Sequence, residues 1–322
     1  MSINDFKEEL NSWGQQKVPF LFWIDFELEK PVAIPLGQVD SRKVLFDING
    51  FTNAKPRTVK PGTSLKKKPI SLSEYKNKFS KVFYHLNYGD SYLTNLTVKT
   101  EIESHRSLRD MFYLSRAKYK LTVSNQFLVF SPETFIQIRN GKIYAYPMKG
   151  TIDAGIPGAA DLILNDVKEK AEHVTIVDLI RNDLSMVAAN VAVTRFRYID
   201  EIKTDTKNLL QVSSEITGDL PQKGLANLGD ILVTLLPAGS VSGAPKPKTI
   251  AIIAQAEQEK RGYYTGVVGY FDGEKMDCGV MIRFIEKVGN KLFYRSGGGI
   301  TTQSDADLEY QEMIDKVYVP ID

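Results

Sequence analysis

The sequence is poor in the residues that staple, ligate or anchor a chain. It has one cysteine, Cys278, and three histidines in 322 residues. A single thiol cannot close an internal disulfide and argues for a reducing compartment. His85, His105 and His173 are scattered without ligand spacing, so no histidine metal site is expected and they are read as incidental. An excess of one charge is missing as well. With 41 basic side chains against 39 acidic ones, no global field advertises a nucleic-acid or membrane partner. The N-terminal MSINDFKEELNSWG carries acids where a signal peptide needs an uninterrupted apolar core. The apolar run at residues 18 to 24 is far too short to span a bilayer. These absences leave a cytoplasmic globular protein as the expectation.

What is present is 43% hydrophobic and 25% charged, too apolar for a disordered chain and enough for one large core or two smaller ones. No fixed-period repeat or low-complexity tract interrupts it. PFLFWIDFELEKPVAIPL reads as buried strand or hairpin. TNAKPRTVKPGTSLKKKP, residues 52 to 69, has no acids and no aromatics among its charges, so it reads as a solvated connection rather than a nucleic-acid arm. SLSEYKNKFSKVFYHLNYG has helical spacing behind a serine cap and stops at Gly89. SYLTNLTVKTEI, FLVFSPETFIQI, KIYAYPM, YYTGVVGYF, CGVMIRFIEK and KLFYRS read as strands, with helices over 166–189, 222–235, 247–260 and 305–318. Strand runs with separate helices predict an α+β fold rather than a doubly wound parallel sheet.

Several constellations can carry chemistry. In VKEKAEHVTIVDLIRNDLSMVA the stripe Val174, Val177, Leu179, Ile180 and Leu184 predicts one buried helix face, and Glu169 and Glu172 share a face on the first turn. Glu309 and Glu312 repeat that spacing in DADLEYQEMIDKV. Together the two pairs could offer carboxylates to one Mg²⁺, which takes few protein ligands and keeps sites for water and an anionic substrate. YRSGGGITTQSD places Gly297, Gly298 and Gly299 before a helix, where backbone N–H groups can converge on an anion. It lacks dinucleotide-binding glycine spacing. LLPAGSVSGAPKPKTI makes a small-residue corner at Ser242, Gly243 and Ala244. YAYPMKGTI sets Lys149 on a corner between Pro147 and Gly150. Each has an ordinary alternative: surface acids, a flexible turn, a loop, a solvent lysine.

SPETF, YPMKGT, AEHVTIVDLIRND, PAGSVSGAPKPKTI, VMIRF and SGGGITTQSDADLEYQEMIDK stand in the order and approximate spacing of the chorismate-utilising enzymes. The chain resembles that family from about residue 74 onward and, within it, the aminodeoxychorismate synthase component I branch. The first 70 residues match poorly and are shorter than in many relatives. The resemblance implies one domain over residues 1–322, built of two large, roughly orthogonal antiparallel sheets flanked by helices, with the active site between them. It also implies Mg²⁺ held at Glu172 and Glu312, with Glu169 and Glu309 as direct or water-mediated helpers. Arg283 matches the arginine that receives the enolpyruvyl carboxylate, Gly297 to Gly299 match the backbone cradle, and Ser242, Gly243 and Thr151 fall in substrate-binding motifs. Glu133 matches the general acid for the departing C4 hydroxyl.

In relatives making anthranilate, isochorismate or salicylate, the position of Lys149 usually holds a small residue. A lysine there implies covalent attack at C2, loss of hydroxide from C4, and amination of C4 by ammonia to give 4-amino-4-deoxychorismate, the precursor of 4-aminobenzoate and folate. The amine must then be neutral, which calls for a lowered pKa. Asp230 stands where anthranilate synthases tend to have a histidine tied to pyruvate loss, which also favours the aminodeoxychorismate branch. Leu93 replaces the Gln or Lys of relatives and cannot activate water. No segment supplies a glutaminase, so ammonia is expected from a glutamine amidotransferase subunit or from solution. Anthranilate synthase component I is the alternative enzyme, and a non-catalytic chorismate-binding regulator or a basic-loop nucleic-acid binder the alternatives outside enzymes.

Overall fold

The computed structural model describes every residue except 61, 63, 64, 203–207, 223, 321 and 322. Its strands form two nine-stranded sheets, and the pairings between them are antiparallel throughout. The first runs from Met148–Asp153 through Leu209–Asp219, Lys142–Ala145, Thr134–Arg139, Met276–Val280, Val267–Phe271 and Phe20–Ile24 to Val32–Pro35, with Ala189–Ile202 paired to Leu209–Asp219. The second runs from Gly243–Ala244 through Leu93–Glu103, Lys291–Ile300, Phe284–Val288, Phe127–Ser131, Tyr119–Val123 and Val44–Ile48 to Phe51–Thr52, with Lys66–Lys68 against Leu93–Glu103. The expected α+β architecture of two large antiparallel sheets with helices is what the chain adopts.

One buried cluster joins the sheets: Leu21, Trp23 and Val268 of the first meet Phe46, Tyr119, Leu121, Phe127 and Val129 of the second. Helices cover the outer faces. Ile3–Gln15 and Leu228–Leu235 bury Phe6, Leu10, Leu228 and Leu232 against the first sheet, and Leu72–Tyr88 and Ala306–Asp315 bury Tyr75, Val82 and Met313 against the second. Ser71 caps Leu72–Tyr88 by accepting from Glu74 N–H, and Gly89 ends it at φ +88°. Residues 224–242 are long and apolar enough to cross a membrane by length and composition. They are instead mostly buried and broken between Leu228–Leu235 and Gly239–Ser242, as core helices are.

Two segments read as single strands are each two strands in different sheets. FLVFSPETFIQI leaves the second sheet at Ser131 and enters the first at Thr134, and CGVMIRFIEK leaves the first at Val280 and enters the second at Phe284. A run that is apolar throughout looks the same whether it stays in one layer or crosses to the next. The crossovers lie side by side: Val280 N–H donates to Glu133 O at 3.1 Å, and Phe130 N–H to Arg283 O at 3.1 Å. Residues 20–48, expected to be divergent, supply strands to both sheets and belong to the same core.

Candidate functional site

The crossover at Pro132–Glu133, the corner at Lys149 and the end of Lys291–Ile300 converge on a cavity of about 320 Å³ between the sheets and the helix Val167–Ser185. Asp166 starts that helix by accepting from Glu169 N–H at 2.8 Å. The cap fixes the first turn, so Lys168, Glu169 and Glu172 face the strand Met148–Asp153. The expected apolar stripe needs correction. Val174 is 47% exposed, while His173, Ile176, Val177 and Leu184 are buried. Ile176, Ile180 and Leu184 give the cavity its apolar wall.

Lys149 Nζ lies 2.6 Å from Glu172 Oε2, and its side chain is 39% exposed. Gly150 makes the corner at φ +91°, where a side chain would also stand 3.1 Å from Glu169 Oε2. Burial opposes the charge on Lys149 most strongly, but Glu172, Glu169 and Glu312 together outweigh it and raise its pKa. The lowered pKa expected of a nucleophilic amine is therefore absent from this arrangement, in which the lysine is an ammonium clamped by carboxylates.

The second acidic pair comes from the helix Ala306–Asp315, capped by Asp305, which accepts from Asp307 and Leu308 N–H. Glu309 accepts from Ser304 Oγ at 2.8 Å, and Glu312 pairs with Lys316 at 2.6 Å. Gly298 passes directly beneath them. A methyl there would stand 3.3 Å from Glu309 Oε2 and 3.9 Å from Glu312 Oε1. Lys149 is influenced by Glu312, and Glu309 by Lys149, so the two helices bring four carboxylates to one lysine. Burial, with Glu172 beside it, raises the pKa of Glu169; burial, with Glu312 beside it, raises that of Glu309. Glu169 Oε2 is buried without a hydrogen-bond partner.

Among the described residues, no group of three or more His, Cys, Asp or Glu is arranged to hold a metal by itself. A crowded set of glutamates with one orphaned buried oxygen nonetheless suits a hard cation that needs only one or two protein carboxylates. The residues present fit Mg²⁺.

On the opposite wall, Glu133 Oε1 accepts from Ser240 Oγ at 2.5 Å. Burial raises its pKa, partly offset by the Ser240 hydroxyl and by the charge of Arg283. Gly299 and Leu93 line the cavity with it. Other expected residues are placed elsewhere. Arg283 sits 5.3 Å over the Tyr318 ring rather than in the cavity wall. Gly297 lies where a side chain would strike Leu96 O, and all three glycines continue a paired strand instead of forming a free loop. Ser242 Oγ donates to Ala238 O at 2.9 Å, and Gly243 packs on Leu93 O; neither is a cavity wall, whereas Gly239 and Ser240 are. Thr151 is exposed and accepts from Gln211 Nε2 at 3.4 Å. Asp230 turns away altogether, accepting from Asn11 Nδ2 at 2.6 Å and pairing with Lys7 at 3.4 Å.

Sequence reasoning missed Ser240, Thr301, Thr302, Gln303, Tyr146 and Asp183, all cavity walls. Their proximity to motif residues was the available signal. His173, read as incidental, is fully buried and hydrogen-bonds Ser214 Oγ through Nε2 at 2.7 Å, fastening the glutamate-bearing helix to the first sheet. Cys278 is buried, and burial with Asp277 beside it pushes its thiol pKa well up, the opposite of an activated nucleophile.

The chain matches the chorismate binding enzyme family over residues 35–322. It is 50% identical over the full length of both chains to an "Uncharacterized PabA-like protein" of Pasteurella multocida. It is 32% identical to "Aminodeoxychorismate synthase component 1" of Salmonella typhimurium over 79% of this chain and 58% of that enzyme. Its fold resembles the menaquinone-specific isochorismate synthase of Escherichia coli, with a TM-score of 0.75 at 16% identity over 98% of this chain and 81% of that one.

Proposed function

The chain belongs to the chorismate binding enzymes, and from that premise we propose that it aminates chorismate at C4, with ammonia, to 4-amino-4-deoxychorismate. The observation that carries the reading is Lys149, set in the cavity wall among Glu169, Glu172, Glu309 and Glu312 and facing a cavity that Glu133 also lines.

Lys149, released from the Glu172 carboxylate, loses a proton to water, and its amine forms a bond to C2. The ring double bonds shift and the C4 hydroxyl leaves as water, protonated by Glu133, whose burial favours its acid form. Ammonia then bonds to C4, the double bonds shift back, and Lys149 departs from C2 with the enolpyruvyl group still on the ring. Glu172 and Glu312 would hold Mg²⁺, with Glu169 and Glu309 supporting them. Magnesium, when bound there, would supply positive charge to the substrate carboxylate and compete with Lys149 for Glu172. Gly299 and Ser240 border the substrate; Arg283 acts on the charge of Glu133 from behind it. A separate glutamine amidotransferase subunit is the proposed source of ammonia, as the name "component 1" of the Salmonella relative suggests.

The test is the product made from chorismate, Mg²⁺ and ammonium by the purified chain. Mass analysis should find a C4-aminated product that retains enolpyruvyl, and a lactate dehydrogenase couple should see little pyruvate. Stoichiometric pyruvate with fluorescent anthranilate would overturn the reading.

A further inference from the structure

Two hairpin turns and the start of the strand Val44–Ile48 meet the helix Leu108–Leu114 around a cavity of about 300 Å³. It lies on the outer face of the second sheet. Leu45 and Leu108, buried beneath it, pack with Leu128 and Phe130, whereas Val44, Phe46 and Val129 point between the sheets. The walls carry four cations, Lys43, Arg106, Arg109 and Lys287, and no carboxylate.

The carboxylates next to these cations in the chain are engaged elsewhere. Asp110 pairs with Arg57 at 3.1 Å, and Glu286 with Arg295 at 2.9 Å. Among the described residues, neither Lys43 nor Lys287 has a carboxylate within ion-pair distance, and both are exposed. The arginines are anchored by main-chain carbonyls: Arg109 Nη1 donates to Ser41 O at 3.2 Å, and Arg106 Nη2 to Lys60 O at 3.0 Å. The second contact fastens the acid-free segment 52–69 to the edge of the cavity. A carbonyl orients a guanidinium without neutralising it, and Arg109 keeps donors for a further acceptor. Like charges gathered round one concavity repel one another, and an anion that enters relieves them together. Ser124, Asn125 and Asn290 add neutral donors at the exposed rim.

We infer that this cavity binds the phosphate group of a small phosphorylated molecule, held by the two guanidiniums and the two ammoniums, with the rest of the ligand against Leu45, Leu108 and Leu292. Planar guanidiniums match phosphate oxygens in pairs, and a phosphate dianion answers more of the local charge than one carboxylate does. A concavity of this size admits one small molecule, and no aromatic side chain lines it for a base to stack on, so a nucleic-acid strand is the poorer fit. The site is separate from the carboxylate cluster around Lys149 and does not depend on the amination reading.

The experiment is calorimetry of the full chain with pyrophosphate as the probe, at fixed ionic strength and without Mg²⁺. The parent should bind one pyrophosphate. Lys43→Gln combined with Lys287→Gln should weaken that binding about ten-fold or more by removing two charged donors. Both side chains are exposed, so the thermal midpoint without ligand should match the parent's. Lys168→Gln, in the wall of the cavity between the sheets, should leave the affinity unchanged. No binding by the parent, parent-like affinity in the double variant, or a loss in Lys168→Gln instead would each overturn the proposal. So would a mixed-sequence oligonucleotide that binds the parent, loses affinity in the double variant and is not displaced by pyrophosphate.

Discussion

At the scale of single residues, Lys149 is held as an ammonium, whereas the covalent step proposed for it needs the free amine. Its ion pair with Glu172 at 2.6 Å stabilises the ammonium, so the proposed reaction requires substrate and cation to free the amine by entering the carboxylate cluster. Lys149→Ala should therefore lose the C4-aminated product by about 10²-fold or more, the scale on which a positioned reacting group contributes. It should still bind chorismate, which equilibrium titration can show. In the parent without ammonia, mass spectrometry of quenched mixtures should find the substrate, less water, on the peptide carrying Lys149. An alanine variant aminating at the parent rate would remove the covalent step. Glu133 gives a prediction with a sign. A general acid works below its own pKa, so kcat should fall as pH rises through that of Glu133, which burial sets above the ordinary carboxyl range. The Ser240 hydroxyl donates to the carboxylate and favours its charged form. Ser240→Ala should raise the pKa further and move the alkaline limb of the pH–rate profile upward. A limb that stays put or moves down would sever the link between the pair.

At the scale of elements, two capped helices and one strand corner build the acidic cluster. The caps at Asp166 and Asp305 fix where each helix begins, so each glutamate pair lies in or next to its first turn, aimed at Lys149 and Gly298. Glu172→Gln and Glu312→Gln should each weaken the apparent Mg²⁺ affinity by about ten-fold or more, as losses at metal sites commonly do. Magnesium titration of activity, paired with Mg²⁺ binding by calorimetry, measures this. Glu309→Gln should be milder, since Ser304 already engages that carboxylate. Parent-like affinity in both Glu172→Gln and Glu312→Gln would take the metal elsewhere. The sequence made these pairs legible through their three-residue spacing. It misled over the helix stripe, because Val174 and Ile176 are equally apolar and only the neighbouring sheet decides which of them faces inward.

At the scale of the whole molecule, the two sheets are packed in close approach. Gly279 faces Tyr119 across the interface, and a side chain there would come within 2.3 Å of the ring. Tyr119 in turn reaches back to Asp277 in the first sheet. Gly279→Val should therefore destabilise the chain by at least about 1–3 kcal/mol, the usual cost of overpacking a core. Denaturant unfolding would record it as a lower midpoint. A midpoint equal to the parent's would mean that the sheets separate freely there. The same interface holds the crossovers that bring Glu133 and Arg283 together, so partial recovery of fold without recovery of activity is expected in milder variants such as Gly279→Ala.

The sequence by itself determined the α+β class, five of the helices, the serine cap and glycine stop of Leu72–Tyr88 and the residue types of the site, because spacing, caps and turn residues are local properties. It also carried the family, through six motifs in order. It did not reveal the long pair Ala189–Ile202 and Leu209–Asp219, the first largely exposed and the second half-buried with polar Ser213 and Ser214 among its buried residues. Only the tertiary structure decided that SPETF and VMIRF are crossovers between layers, that Asp230, Ser242, Gly243 and Thr151 stand outside the cavity, and that Lys149 is clamped by glutamates. Which side of a strand or helix meets a cavity, and which charge meets which, depends on partners from other elements of the fold. No local pattern records that choice.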